Sequence, residues 1–402
     1  MRSLISLLII ILFSLFVVSC SKDALTEVST VPGGTYTDAL SSSSGAGGST
    51  GGSGSSSNPG GQAGVITAGE WNDLANWDFW TKVLQRDTIK TFPAAWGFYT
   101  DNRVSVLLKD ASGKLLHDAV INLTTDGTTI KARTDNFGKA ELFPGLHDAG
   151  ISLKTFSLTA EYNNQSFSLG SFNASQTDIV KTIPINKINN NTLDVAFVVD
   201  ATGSMGDEII YLKNELFDVV NRAGAQLAGK QIRMGSVFYR DIGDDYVTRP
   251  FPFTSDPASL VSFIKDQEAN GGGDFPEAAD QGLETAIENL QWSDHAINRI
   301  LFLILDAPPH DGQEQLERIK KVVAEAQQKG IRIIPISASG IDRSTEFILR
   351  FLSVSTNSTY VFITNDSGIG NPHLIATVGN YTVEYLNNLM VRLITKYGQN
   401  ND

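Results

Sequence analysis

The stretch Leu193-Asp194-Val195-Ala196-Phe197-Val198-Val199-Asp200-Ala201-Thr202-Gly203-Ser204-Met205 decides the fold. An apolar run over Val195–Val199 stops abruptly at Asp200, and Thr202 and Ser204 follow at spacings of two. A run this apolar reads as a strand covered on both faces, as in a parallel sheet packed between helices. One carboxylate and two hydroxyls just past its end form half of an oxygen shell suited to a hard divalent cation.

Outward toward the C-terminus, strands alternate with helices. Ile209, Leu212, Leu216 and Val219 recur at helical spacing. Strands are expected over 233–239 and 246–253. Only residues 240–245 join them, too few for a parallel crossover, so this pair should be antiparallel. Helices are expected over 257–268 and 276–290, a strand over 299–305, a helix over 313–329 and a strand over 331–337. A short helix over 345–352, a strand over 360–364 and a closing helix over 378–397 complete the pattern. Six mostly parallel strands with helices on both faces make an α/β doubly wound sheet. Sites in such sheets lie at the carboxyl ends of the strands. Asp200 occupies that place on the first strand, and Asp306 on the fourth.

With these residues placed, Asp200-x-Thr202-x-Ser204 resembles the Asp-x-Ser-x-Ser loop of von Willebrand factor A domains, where a metal-ion-dependent adhesion site begins. That family's second element, a Thr loop before the fourth strand, corresponds to Gly271-Gly272-Gly273-Asp274-Phe275-Pro276-Glu277, with Asp274 where Thr is usual. The third, an Asp after the fourth strand, is matched by Asp306. The resemblance covers about residues 192–397. It implies a Rossmann-like sheet and a divalent cation, Mg²⁺ first and Mn²⁺ or Ca²⁺ as alternatives, held by Asp200, Thr202, Ser204, Asp274 and Asp306. Arg240 and Asp241 are candidates to orient that shell. The Gly-Gly-Gly-Asp-x-Pro-Glu loop, with Tyr239-Arg240-Asp241 and Asp306-Ala307-Pro308-Pro309, resembles a subgroup some of whose members sit beside alpha-kinase domains. No kinase signature occurs here.

Upstream, period-two runs stop at turn signals. Val104, Val106 and Leu108 precede Asp110-Ala111-Ser112-Gly113-Lys114; Val120-Ile121-Asn122-Leu123 precedes Asp126-Gly127; and Thr134-Asp135-Asn136-Phe137-Gly138-Lys139-Ala140-Glu141-Leu142 follows. Short strands with a turn about every 10 residues indicate an antiparallel β-sandwich. These motifs resemble the carboxypeptidase-regulatory-like, transthyretin-like sandwich over about 103–185, a module that usually serves as a spacer. Before it, Trp71, Trp77, Phe79, Trp80, Trp96 and Phe98 are read as core or interface rings.

The first residues carry a different signal. Met1-Arg2 precedes an apolar stretch over 4–18 that is short for a membrane span. Val17-Val18-Ser19-Cys20 resembles a bacterial lipobox, which implies cleavage before Cys20 and acylation of that cysteine. Residues 41–64 are almost pure Ser and Gly, a composition that cannot bury enough apolar surface to order itself. The expected organisation is thus a signal peptide at 1–19, acylated Cys20 and a flexible linker at 20–64, an aromatic lead-in and sandwich at 65–190, an A domain at 191–397 and a tail at 398–402. The expected location is the bacterial cell envelope, lipid-anchored, at the outer membrane.

The 402 residues carry a formal net charge of −13, so a nucleic-acid footprint, which needs clustered Lys and Arg, is not expected. Cys20 is the sole cysteine, which excludes an intrachain disulfide. No Walker loop, zinc-type Cys/His spacing, Ser/His/Asp order or dinucleotide fingerprint occurs. The expected function is non-enzymatic: a tethered module that binds a protein or other macromolecular ligand through the cation, with an acidic side chain of the partner completing the shell. Two alternatives stand beside it. One is a structural envelope component without a metal-linked partner. In the other, Asp200 acts as a phosphoryl acceptor, since Asp200-Ala201-Thr202-Gly203-Ser204 resembles the Asp-Lys-Thr-Gly-Thr of phosphoryl-aspartate ATPases, with Ala201 in place of the Lys. His310 and Asp311, close after Asp306, lack an evident nucleophile to serve.

Overall fold

The computed structural model describes residues 63–400. The signal-peptide, Cys20 and most of the linker assignments therefore lie outside the described residues.

The first strand, β1 (Thr67–Trp71), is followed by two short helices, α1 (Trp77–Val83) and α2 (Phe92–Trp96). Seven strands come next: β2 (Val104–Lys109), β3 (Val120–Thr125), β4 (Thr128–Arg133), β5 (Lys139–Leu142), β6 (Thr155–Tyr162), β7 (Gln165–Asn173) and β8 (Asp178–Thr182). They form a three-stranded sheet in the order β5-β2-β8 and a four-stranded sheet in the order β4-β3-β6-β7. Inward-facing Val104, Val106, Leu108, Ile121, Leu123, Phe156 and Leu158 fill the sandwich. The expectation of antiparallel pairing needs one correction: β2 and β8 run parallel.

The α/β part then runs β9 (Thr192–Asp200), α3 (Gly206–Gln226), β10 (Gln231–Tyr239), β11 (Thr248–Thr254), α4 (Pro257–Lys265), α5 (Ala279–Glu284), β12 (Asn298–Leu305), α6 (Gln313–Lys329), β13 (Ile331–Ser337), α7 (Arg343–Ser355), β14 (Tyr360–Ile363), β15 (Val383–Tyr385) and α8 (Leu386–Gly398). All six expected strands form. β9, β10, β12, β13 and β14 are mutually parallel, and β11 is antiparallel to β10, as its short connection requires. Every residue of β12 is buried, the signature of a strand covered by helices on both sides. Two helices differ from expectation. The one over 276–290 is α5 followed by a π-helical turn at Thr285–Asn289, and the closing helix starts at Leu386 because β15 takes the residues before it.

The sheet has eight strands, in the order β11-β10-β9-β12-β13-β14-β1-β15. β1, from before the sandwich, pairs antiparallel with both β14 and β15. The expected boundary at 190/191 is therefore corrected: the sandwich is inserted in the α/β domain, whose sheet opens at Thr67. The lead-in aromatics are core. Trp80 stacks on Phe347 of α7 at 5.9 Å between ring centroids, Phe98 stacks on Phe351 at 3.8 Å, and Asp73 forms a buried two-bond pair with Arg350 at 2.9 and 2.6 Å.

The spacer expectation is corrected as well. Because β1 runs antiparallel to β14, its first residues lie at the carboxyl ends of the parallel strands, where Thr67 bonds Thr364 at 2.8 Å. There the buried Glu215 carboxylate of α3 accepts the backbone N–H groups of Gly64, Val65 and Ile66 at 2.9–3.3 Å. The sandwich attaches at the opposite end. Its Thr134–Leu142 motif supplies Asp135, which pairs with Arg332 at the start of β13, and Asn136, which bonds Asn298 at the start of β12 at 3.0 Å and the Lys396 carbonyl at 2.9 Å. Asp118 bonds Arg299 there at 3.0 Å. The sandwich therefore does not lie between the entering chain and the α/β domain.

Candidate functional site

Three loops meet at the carboxyl ends of β9, β10 and β12. Past β9, the Ala201 carbonyl accepts from Asn270 N at 3.0 Å and from Arg240 Nε at 3.2 Å, and Gly203 N donates to the Gly271 carbonyl at 3.1 Å. Asp244 Oδ2 ties the loop after β10 to the glycine loop, accepting from Asp241 N at 3.0 Å and Gly272 N at 2.9 Å. Gly271 and Gly272 have φ of +79° and +72°. A Cβ at Gly271 would sit 2.3 Å from Asp244 Oδ2, and one at Gly272 would sit 2.7 Å from Glu277 Oε1. Glycine is needed at both positions for backbone conformation and for space.

Asp200 is fully buried. Its Oδ1 accepts from Thr202 N at 2.9 Å and Thr202 Oγ1 at 2.7 Å, and its Oδ2 accepts from the Tyr239 hydroxyl at 3.2 Å. Thr202 Oγ1 lies 3.1 Å from Ser204 Oγ, and Ser204 is hydrogen-bonded to Asp306. Asp306 and Glu277 are 5% and 3% exposed, and Asp306 Oδ1 and Glu277 Oε2 are buried without a hydrogen-bond partner among the described residues. Burial, reinforced by the charges of Asp200, Asp241 and Asp306, pushes the Glu277 carboxyl up to about 9. Burial also raises the Asp200 and Asp306 carboxyls, with the charge of Asp200 adding to the rise of Asp306, against the hydrogen bonds that Thr202, Tyr239 and Ser204 supply. Buried acids with unpaired oxygens, repelling one another, are an environment that a cation would relieve.

The structure thus brings together Asp200, Thr202, Ser204 and Asp306 of the expected set. It does not bring in Asp274, which is solvent-exposed on the glycine loop. The buried carboxylate of that loop is Glu277. Asp274 stands between Gly273 and Phe275 with little to cover it, whereas Glu277 leads into the buried Ala278-Ala279 start of α5, a difference set by the fold of the loop and not by its composition. Tyr239, at the end of β10, was also missed. Arg240 holds the Ala201 and Glu268 carbonyls, the latter at 2.9 Å, and Asp241 bonds His310 Nε2 at 2.8 Å. Both brace the loops around the cluster.

The chemistry of the donors fits a hard cation. Hydroxyl and carboxylate oxygens converge, and two buried carboxylate oxygens lack partners. Among the described residues no group of three or more His, Cys, Asp or Glu is set to hold a metal, so a shell here would rest on the hydroxyls and on water as much as on carboxylates.

A doubly wound sheet whose first strand ends in this loop, with the other two loops in order, is the architecture of a von Willebrand factor A domain, and residues 194–371 match the family described as von Willebrand factor A domain. That segment is an A domain carried in a longer chain with a β-rich insertion. Over 122 residues the chain is 33% identical to an ariadne-like RING finger protein of Acanthamoeba polyphaga mimivirus, covering 30% of this chain and 12% of that protein. Over 120 residues it is 29% identical to an alpha-protein kinase of Dictyostelium discoideum, covering 29% and 19%. The chain thus spans less than a fifth of the length of these curated relatives. Among solved structures it is similar to the PilB minor pilin of Streptococcus sanguinis, with 11% identity, 80% of this chain and 97% of that one covered, and a TM-score of 0.34.

Proposed function

We propose that this protein is a binding module in which the A domain grips a protein or other macromolecular ligand through a divalent cation, Mg²⁺ first, at the Asp200–Thr202–Ser204–Asp306 cluster. The observation that carries the reading is the pair of buried, unpartnered oxygens on Asp306 and Glu277 beside two aligned hydroxyls. Thr202, Ser204 and Asp306 would hold the ion, with Asp200 and Glu277 facing it. The ion would supply an electrophilic position for an oxygen of the partner.

Binding is favoured over phosphoryl transfer at Asp200. That carboxylate is fully buried and both its oxygens already accept hydrogen bonds, which suits an orienting group better than a nucleophile. Lipid anchoring through Cys20 at the bacterial cell envelope belongs to the same proposal. Among the described residues no helix is long and apolar enough to cross a membrane.

Isothermal titration with Mg²⁺, Mn²⁺ and Ca²⁺ tests the cation. Saturable heat with the wild type and its loss in Asp306→Asn is expected; equal heat in both, or none in either, overturns the reading. Mass spectrometry of the mature chain, with Cys20→Ser as the comparison, tests the anchor.

A further inference from the structure

We infer that the partner of this face is a protein segment with basic flanks and an apolar contact residue around the group that reaches the cluster. This deepens the binding reading and rests on it.

The rim of the site is acidic. Asp274 is exposed on the glycine loop and Asp311 is exposed after β12, while Asp245, after β10, has its side chain 86% exposed with one oxygen 3.9 Å from Arg240 Nη1. The nearby cationic groups are turned to other work. Arg240 is buried on two carbonyls, lies over the Tyr246 ring and faces Asp245, Arg249 lies 3.9 Å from the same ring's centroid, and His310 is bonded to Asp241. A divalent ion would bring two positive charges to a cluster that already holds the buried Asp200, Asp306 and Glu277. The outer surface then remains negative at the distances where a partner is first felt. Like charges set opposite one another across an interface are costly, and opposite charges speed encounter and fix register. A carboxylate entering the shell would be accepted here when basic side chains accompany it.

The apolar half of the inference comes from Ile242 and Phe275, which are 54% and 46% exposed. They stand on the two loops that Asp244 ties together, so both are carried by backbone braced against the cluster. Exposed large apolar side chains on a polar rim beside a site mark contact positions, and aromatic anchors dominate binding energy at such surfaces. The buried, unpartnered Asp306 Oδ1 and Glu277 Oε2 mark the centre of the same surface as unfilled by the chain's own donors.

The test uses the full chain, Mg²⁺ and two short peptides, each with one central Asp flanked by Leu and Phe. One carries Lys at every other position, the second Glu. Fluorescence anisotropy at low and high salt measures both. The Lys peptide is expected to bind at least about tenfold more tightly, with affinity falling as salt rises. Asp311→Lys is expected to erase most of that preference, and Phe275→Ala to weaken the Lys peptide by about tenfold without changing the preference. Equal affinity for the two peptides, tighter binding of the Glu peptide, or no binding of either overturns the inference. Retained preference in chelator, with no heat of Mg²⁺ binding, would overturn the cation reading alone. Mg²⁺ heat with a Glu-peptide preference would overturn the basic-partner inference alone.

Discussion

Tyr239 donates its hydroxyl to Oδ2 of Asp200 at 3.2 Å, and both side chains are fully buried. Burial holds the phenol well above its ordinary value, so it remains a donor across the working pH range. The bond fixes the Asp200 carboxylate beneath the two hydroxyls. Tyr239→Phe is expected to weaken cation binding by about tenfold, the usual size of an outer-shell loss, and to cost about 1–2 kcal/mol of stability. Titration calorimetry and urea unfolding of the same variant check both; unchanged cation affinity would show that the phenol does no more than pack.

The glycine loop offers two acids of opposite character. Glu277 is buried and raised, whereas Asp274 is exposed. Glu277→Gln is expected to raise the cation-free melting temperature, because it removes a carboxyl that is costly to ionise there, and to lower the gain in melting temperature on adding Mg²⁺. Asp274→Asn is expected to leave both nearly unchanged. The reverse pattern in differential scanning fluorimetry would return Asp274 to the cluster.

β1 covers one edge of β14. A fragment over 191–402 is therefore expected to aggregate and to lack a cooperative transition, since it opens that edge and uncovers Val361 and Phe362. A fragment over 63–402 is expected to unfold in a single transition. A soluble, cooperative 191–402 fragment would make β1 an accessory.

The Asp73–Arg350 pair is buried on both sides, at 0% and 1% side-chain exposure. Arg350→Ala leaves a buried carboxylate without its partner and is expected to destabilise the protein by about 3–5 kcal/mol. A loss under about 1 kcal/mol in denaturant unfolding would mean that the pair behaves as an exposed one.

Burial pushes the His117 and His147 imidazoles down to about 4. Both are held neutral in the fold, so the unfolded chain binds protons more readily below about pH 6.5. Their contribution is fully present above that pH and is lost as pH falls toward about 4, on the order of 2–3 kcal/mol for each. His147→Gln is expected to lose less stability than the wild type between pH 7 and about 4.5. Parallel losses in the two proteins would place the acid sensitivity elsewhere.

The A-domain strands were legible because each is a continuous apolar run ended by polar loop residues; Val195–Val199 and Ile300–Leu305 could be buried only in a sheet covered on both faces. The order of Asp200, Thr202, Ser204 and Asp306 at strand ends was legible for the same reason, since a strand's end fixes where its next residues point. β1 was not. Thr-Ala-Gly-Glu-Trp carries no strand periodicity of its own, and its pairing with β14 joins Ala68 to Ile363 and Trp71 to Tyr360, stabilised by contacts that no local pattern encodes. Nor was the exchange of Asp274 for Glu277, which turns on left-handed backbone at Gly271 and Gly272 and on which acid the start of α5 buries. The sequence by itself determined the doubly wound sheet, the sandwich and the oxygen-rich loop after β9, because period and polarity act over a few residues. Only the tertiary structure decided that the sandwich is inserted at the end opposite the site, and which carboxylates are buried together, because those follow from contacts between residues far apart in the chain.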